Sequence, residues 1–152
     1  MKRRSFIKKG LATAAAPLIG SGLIAKSRSE KIVSDQTFNL NYAPHFGMFK
    51  HNAGDDFIDQ LQFMHDHGFR SLEDNGMKGR SKQEQNRIGK KMNQLQMIMG
   101  VFVAHKIYWR EPNLTSGDKT LQDEFVQNVK DSVEVAKRVN ATWMTVVPGH
   151  VD

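Results

Sequence analysis

The connections between the helix-like and strand-like segments of this 152-residue chain, called joints below, fall into a short class and a long class. Where a helix-like segment leads into a strand-like segment, the joint is very short, and these joints are Gly68, Gln96–Met97 and Asn140. Where a strand-like segment leads into a helix, the joint is long, and these joints are Pro44–Gly54, Asp74–Arg80 and Lys106–Asp118. A parallel β/α protein builds its site from the loops at the carboxyl ends of its strands. The asymmetry therefore predicts parallel β/α units with a site on the side of the long loops.

Four segments have the pattern of β-strands. The predicted strands are Phe38–Ala43, Phe69–Glu73, Ile98–His105 and Ala141–Val147. The first alternates apolar and polar residues, and the third is a nearly continuous apolar run, which is typical of a parallel strand covered on both faces. The first three strands start about 30 residues apart, which is the length of a β-α-β unit.

Three amphipathic helices are predicted between these strands. The first begins at Asp55 or Asp56 and ends at Gly68, and the second begins with the capping box Ser81–Glu84. The third extends from about Lys119 to Val139, with Asn140 as its cap. Its apolar stripe consists of Leu121, Phe125, Val129, Val133, Ala136 and Val139.

The fold class that follows is α/β, with parallel (β/α) units of a TIM barrel. The loop Pro44–Gly54 contains no Gly-rich pattern for cradling a phosphate, which argues against a nucleotide-binding doubly wound sheet. A closed barrel needs eight strands, so the four predicted strands amount to a half barrel. A complete small doubly wound domain is the alternative.

The first 25 residues resemble a bacterial twin-arginine export signal. Arg3 and Arg4 precede Phe6, and the apolar run Leu11–Ala25 is too short to span a membrane comfortably. Residues 26–37 are predicted to be a polar linker, and residues 38–152 the folded domain. We therefore expect a periplasmic or exported protein, attached to the membrane only if the signal is not cleaved.

The excess of positive charge lies in this leader. Residues 1–31 contain eight Lys or Arg and one acid, whereas residues 32–152 contain 14 basic and 15 acidic residues. The domain therefore has no basic face for neutralising phosphates, and we expect no nucleic-acid partner. The chain has no cysteine, which excludes disulfides and thiolate metal sites.

Ionisable side chains stand where the predicted strands end. His45 follows the first strand, Glu73 ends the second, His105 ends the third, and His150 follows the fourth. In a barrel these positions converge on one mouth, where ligand contacts and acid–base residues belong. The alternative for each histidine is a hydrogen-bonded structural role, and for Glu73 it is an ion pair with a neighbouring base.

Two aromatic residues in the third long loop are further candidates. Tyr108 and Trp109 are predicted to form a wall for a sugar-sized ligand, or else to pack on the rim of the barrel. The predicted substrate-binding residues are therefore Glu73, His105, His45 and Trp109. No catalytic residue and no metal ligand is assigned in this chain.

Two segments resemble the hydroxypyruvate isomerase family. Gly68–Glu73, which reads Gly-Phe-Arg-Ser-Leu-Glu, is similar to the Gly-Phe-x-x-Val-Glu segment of that family, and His105 likewise ends a third strand. Val135–Gly149 is similar to the family's helix leading into its fourth strand. The resemblance covers residues 38–150 and implies the amino-terminal half of a xylose-isomerase-like barrel.

The resemblance implies an activity as well. In the family a proton moves between adjacent carbons through an enediol, carried by two glutamates and often assisted by Mg²⁺ or Mn²⁺. Those residues belong to the fifth to eighth strands, so only Glu73, His105 and His45 correspond to substrate-holding positions here. We expect no cofactor in this chain and a divalent metal only in a full-length form.

Two functions follow as expectations. The first is a sugar isomerase or epimerase acting on a small carbohydrate or hydroxy-carbonyl substrate, with this chain as an inactive amino-terminal half. The second is a non-catalytic carbohydrate-binding half-barrel. Exposed strand edges would require this module to pair with a second copy or with a missing carboxyl-terminal half.

Overall fold

The computed structural model describes residues 38–150. The helices are α1 (Lys50–Ala53), α2 (Phe57–Asp66), α3 (Lys82–Gln94) and α4 (Lys119–Val139), with a 3₁₀ turn at Met77–Gly79. Two strands, β1 (Ser71–Leu72) and β2 (Ile98–Met99), pair in parallel, with Ser71 opposite Ile98 and Leu72 opposite Met99. The predicted signal (1–25), the predicted linker (26–37) and the export route they imply lie outside the described residues.

The prediction of a half TIM barrel with four β/α units is wrong. Within residues 38–150 there are four α-helices and only two strands, each of two residues. Elsewhere in the described part of the chain, extended segments meet only at single parallel bridges, which are His45 to Glu73, Met99 to Ala141 and Val103 to Thr145. A strand needs consecutive bonded pairs, and these contacts do not continue beyond one residue.

The first predicted strand, Phe38–Ala43, does not form, because a main-chain hydrogen bond within the segment bends it into a turn. The N–H of Tyr42 donates to the carbonyl of Leu40 at 3.0 Å, a tight turn that a straight strand cannot contain. Leu40 is 65% exposed, so the alternation of apolar residues does not bury a face. Phe38 instead packs its ring against Tyr42 and Phe69.

The third and fourth predicted strands fail for a different reason. The run Ile98–His105 is buried over Phe102–His105, yet its strand ends at Met99. It pairs with β1 at its start and then with Thr145, whose main chain makes hydrogen bonds of 2.8 and 3.0 Å to residues 102 and 104. A continuous apolar run reports burial and does not by itself distinguish a strand from buried irregular chain.

The ends of the predicted helices are confirmed by their caps. The carboxylate of Asp56 accepts the N–H of Ile58 at the start of α2, and the hydroxyl of Ser81 accepts the N–H of Glu84 at the start of α3. Asn140 ends α4 in the left-handed conformation, with φ 52° and ψ 43°. Local chemistry thus sets the starts of α2 and α3 and the end of α4, whereas α1 begins after Phe49 without a side-chain cap.

The predicted stripe of α4 is wrong at Val133, which is 45% exposed, whereas Ser132 and Val135 are buried. A step of four residues turns about 40° beyond a full helical turn. Residues at 121, 125, 129 and 133 therefore point progressively away from the core. The step from 129 to 132, of three residues, brings the buried face back to Ser132 and Val135.

The core lies where α3 packs on α4 over the two strands. Its fully or nearly fully buried apolar side chains include Leu61, Met64, Leu72, Met77, Ile88, Met92, Phe102 and Val139. The two helices approach so closely at Gly89 that a Cβ atom there would overlap the main-chain carbonyl of Arg138. No helix in residues 38–150 is both long and apolar enough to cross a membrane.

Candidate functional site

A cleft of about 470 Å³ opens between the 3₁₀ turn, the loop after Phe102, and α4. We refer to it below as the lysine cleft. It is lined by Asn75, Gly76, Lys78, Gly79, Val103, His105, Lys106, Ile107, Trp109 and Asn128. None of these described lining residues is acidic, so lysine ammonium groups dominate the charge of the wall.

The turn that forms one wall is held by a buried ion pair. The carboxylate of Asp74 is only 5% exposed and accepts hydrogen bonds from Nε of Arg80 at 2.6 Å and from the N–H of Gly76 at 3.1 Å. The guanidinium of Arg80 in turn lies 4.0 Å over the ring of Phe57. These contacts fix the position of the intervening residues, Asn75 and Lys78 among them.

A buried glutamine joins the same turn to both long helices. The amide nitrogen of Gln85, on α3, donates at 3.0 Å to the carbonyls of Met77 and Arg80. Its amide oxygen accepts a 2.6 Å hydrogen bond from Arg138 on α4. The turn therefore has no freedom to move independently of the helix pair.

Lys78 crosses from this turn to the middle of α4. Its ammonium donates to the main-chain carbonyl of Asn128 at 3.0 Å, and it makes no ion pair within residues 38–150. Burial lowers the pKa of Lys78, and the charge of Asp131 opposes this effect only in part. Lys78 is thus a partly desolvated amine on the wall of the cleft.

Lys106, at the mouth of the cleft, has a raised pKa, in contrast to the lowered pKa of Lys78. Its ammonium donates to the hydroxyl of Tyr108 at 2.9 Å, and this hydroxyl donates onward to the carboxylate of Glu124 at 3.0 Å. The hydrogen bond to Tyr108 raises the pKa of Lys106 above its usual value. Lys106 is therefore a fixed positive charge.

Both ring nitrogens of His105 are engaged. Nδ1 lies 2.8 Å from the carbonyl of Lys106, and Nε2 accepts the main-chain N–H of Val147 at 2.8 Å. A carbonyl only accepts and an N–H only donates, so Nδ1 is the donor and Nε2 the acceptor in this arrangement. The ring also packs on Phe125. These contacts match the structural alternative, and the role of His105 in holding substrate stays a prediction.

His45 and Glu73 come together, but away from the lysine cleft. Their main chains meet at a parallel bridge, and His45 Nε2 lies 3.5 Å from Glu73 Oε1. Neither lines the cleft, whereas His105 and Trp109 do. The four predicted substrate-binding residues therefore divide into two pairs. The carbonyl of His150, the fourth histidine at a predicted strand end, accepts a hydrogen bond from Thr115.

The two candidate aromatic residues have different surroundings. The hydroxyl of Tyr108 is bonded between Lys106 and Glu124, whereas Trp109 is 73% exposed at the edge of the cleft. An exposed indole beside polar groups is the arrangement in which aromatic side chains contact ligands. The predicted wall therefore reduces to Trp109.

Sequence reasoning missed four polar residues of the cleft. They are Asn75, Lys78, Lys106 and Asn128. The first two lie in the long joint Asp74–Arg80, which the asymmetry of joints had marked as a site-building loop. Nothing in the sequence pattern distinguishes Asn128 from other polar positions of α4.

The described residues offer no donor set for the divalent metal implied by the resemblance. Residues 38–150 contain no group of three or more His, Asp or Glu side chains that could hold a metal ion. The sequence matches no protein-family model, and comparison with curated proteins gives no significant match.

Proposed function

We propose that the described domain binds a small anionic hydroxy-carbonyl compound, of the hydroxypyruvate or sugar-acid class, in the lysine cleft. The observation that carries this proposal is the composition of the cleft wall. The wall contains Lys78, Lys106 and the exposed Trp109, and the described lining includes no acidic residue. Ammonium groups without a lining carboxylate favour a ligand that brings its own negative charge.

The remaining lining supports the hydroxylated part of such a ligand. Asn75 and Asn128 each carry an amide that donates and accepts hydrogen bonds, as hydroxyl groups require. The volume of about 470 Å³ lies within the range of roughly 300–1,000 Å³ found for small-molecule sites. The face of Trp109 supplies the apolar contact that orients a small polar ligand.

The resemblance of Gly68–Glu73 to the hydroxypyruvate isomerase family supports the hydroxy-carbonyl class. The same resemblance supports isomerisation as the chemistry of that family. Glu73, however, is not among the residues that line the cleft, so its carboxylate is not placed to move a proton on a ligand bound there. We therefore propose binding without isomerisation for the 152-residue chain.

Tryptophan fluorescence tests the binding proposal, because the chain has only two tryptophans. In a Trp143→Phe variant, Trp109 is the sole reporter. We expect hydroxypyruvate and glycerate to quench it saturably, and neutral glycerol to leave it nearly unchanged. A response to glycerol equal to that of glycerate would contradict the argument from charge.

The matched control is Trp109→Phe, in which Trp143 remains as the reporter. Trp143 is 70% exposed and does not line the cleft, so quenching in this variant should follow only the linear dependence expected of collisions. Saturable quenching of equal size in both variants would remove the cleft as the binding site.

Isomerisation is followed separately, by NMR of hydroxypyruvate incubated with the full chain. No conversion above that of a protein-free sample is expected. Turnover that is lost in a Glu73→Gln variant would overturn the proposal of binding alone.

A further inference from the structure

We infer that Lys78 is a nucleophilic amine, which forms a reversible imine with the carbonyl carbon of an aldehyde or α-keto acid in the lysine cleft. The inference rests on the proposed function, because the same cleft brings the carbonyl compound to the amine. It adds covalent chemistry at one named atom, Nζ of Lys78.

Lys78 differs from most of the other described lysines that make a hydrogen bond or an ion pair. Three of these pair with carboxylates, namely Lys50 with Asp55, Lys119 with Asp123 and Lys137 with Glu134. Lys78 instead donates to a neutral main-chain carbonyl, that of Asn128. Lys91 also has a neutral partner, Gln62, but it does not line the cleft. A carboxylate would hold the ammonium form, whereas a carbonyl is also satisfied by a neutral amine.

The position of the amine suits attack on a bound ligand. Lys78 lines the cleft opposite the loop that carries Trp109, and its hydrogen bond to Asn128 limits where Nζ can lie. A neutral amine that donates one N–H to this carbonyl keeps its lone pair for another contact. The buried Asp74–Arg80 pair and Gln85 fix the turn below it, which favours a productive geometry.

The reaction is a balanced condensation. The lone pair of Nζ forms a bond to the carbonyl carbon, and the C=O π electrons move to oxygen, which takes a proton to give a carbinolamine. Loss of water then leaves the C=N bond, with both amine protons and the carbonyl oxygen departing as that water. No oxidant, reductant or metal is consumed. The lowered pKa of Lys78 supports the step, since it increases the fraction of free amine near neutral pH.

The test is reductive trapping. The full chain is incubated with hydroxypyruvate and cyanoborohydride near neutral pH, and modified lysines are mapped by peptide mass spectrometry. Lys90, an exposed residue of α3, serves as the internal control. We expect Lys78 to be labelled several-fold more than Lys90, and to be protected by excess glycerate. Equal labelling of the two lysines would overturn the inference.

Two variants complete the test. Lys78→Arg keeps the positive charge but cannot form an imine, and Lys90→Arg is its matched control. We expect the specific adduct to disappear only in Lys78→Arg. If the same adduct yield persists there, the reactive amine is another residue and the inference fails.

The outcomes separate the inference from the proposed function. Saturable quenching of Trp109 by hydroxypyruvate without preferential labelling of Lys78 would retain the binding proposal and overturn the imine. Preferential, glycerate-protected labelling without any response of Trp109 would support the imine and overturn the role of Trp109 in binding.

Discussion

The imidazole of His105 accepts the main-chain N–H of Val147 at 2.8 Å, and so joins the buried residues 102–105 to the extended segment 141–147. Since the other ring nitrogen is bonded to the carbonyl of Lys106, no ring nitrogen is left to donate to a ligand while both bonds are kept. His105 therefore positions the loop that carries Lys106 and Trp109.

We predict that His105→Phe lowers the free energy of unfolding by about 2 kcal/mol, because one hydrogen bond at each ring nitrogen is lost while the ring contact with Phe125 is retained. Urea unfolding measures this change, with the exposed His51→Phe as control. Amide exchange at Val147 should become faster. Unchanged protection of that amide would show that the bond carries no stability.

Gly89→Ala is predicted to destabilise the fold by about 1–3 kcal/mol, although alanine is the better helix former by about 1 kcal/mol. The new methyl group overlaps the carbonyl of Arg138 and forces α3 and α4 apart. Thermal or urea unfolding gives the change. Gly79→Ala is the matched control, because nothing lies within 4 Å of its Cβ position. A stabilised Gly89→Ala variant would mean that the helices separate without cost.

Asp74→Asn is predicted to cost about 3 kcal/mol, because it leaves the partly buried guanidinium of Arg80 without its carboxylate. The turn that carries Lys78 should loosen as well, so ligand quenching of Trp109 should weaken. The exposed Asp59→Asn is the control and should change neither property. Retention of full stability in Asp74→Asn would show that the pair is replaceable by a neutral hydrogen bond.

The carboxylate of Asp56 makes the stability of the fold depend on pH, and the direction of its pKa shift gives the sign of this dependence. Its hydrogen bond to Arg87 and the N–H of Ile58 lower its pKa in the folded chain, so the unfolded chain binds the proton first. The stability from this group is present above its unfolded pKa of 3.8 and is lost as the pH falls through the lower folded pKa. The gain is small, because the pair is solvent-exposed.

Asp56→Asn keeps the cap, because asparagine caps helices as well as aspartate does. The variant should therefore lose stability near neutral pH and become equal to the parent in strong acid. Urea midpoints measured across the acid range show this convergence. A difference that stays constant with pH would assign the effect to the cap instead of the charge.

The three longer helices were predicted well because their signals are local, whereas the short α1 lies within the predicted loop Pro44–Gly54 and was missed. Ser81 and Asp56 bind main-chain N–H groups within three residues, and Asn140 takes the left-handed conformation at the point where α4 ends. The strands were predicted poorly, since apolar content reports burial but not pairing. The turn between Leu40 and Tyr42 left no signal that separates it from an alternating strand.

The candidate site was predicted only in outline. The long joint Asp74–Arg80 was marked as a site-building loop, and Trp109 was marked as a ligand wall. The roles of Lys78 and Asn128 could not be predicted, because their contact joins residues 50 positions apart. A sequence pattern of one helix or one loop contains no information about such a partner.

The few hydrogen bonds that hold residues 141–147 to residues 102–105 have a consequence for access to the cleft. Residues 141–147 are joined to residues 102–105 by the two main-chain bonds of Thr145 and by the bond from Val147 to His105. Opening this segment would expose Ala141 and Met144, which pack against the core, whereas Trp143 already faces solvent. Local opening of such a segment costs less free energy than unfolding the α3–α4 core. Because His105 also lines the cleft, such opening would release the side chain of His105 from Val147 and loosen one wall of the cleft while α3 and α4 stay packed.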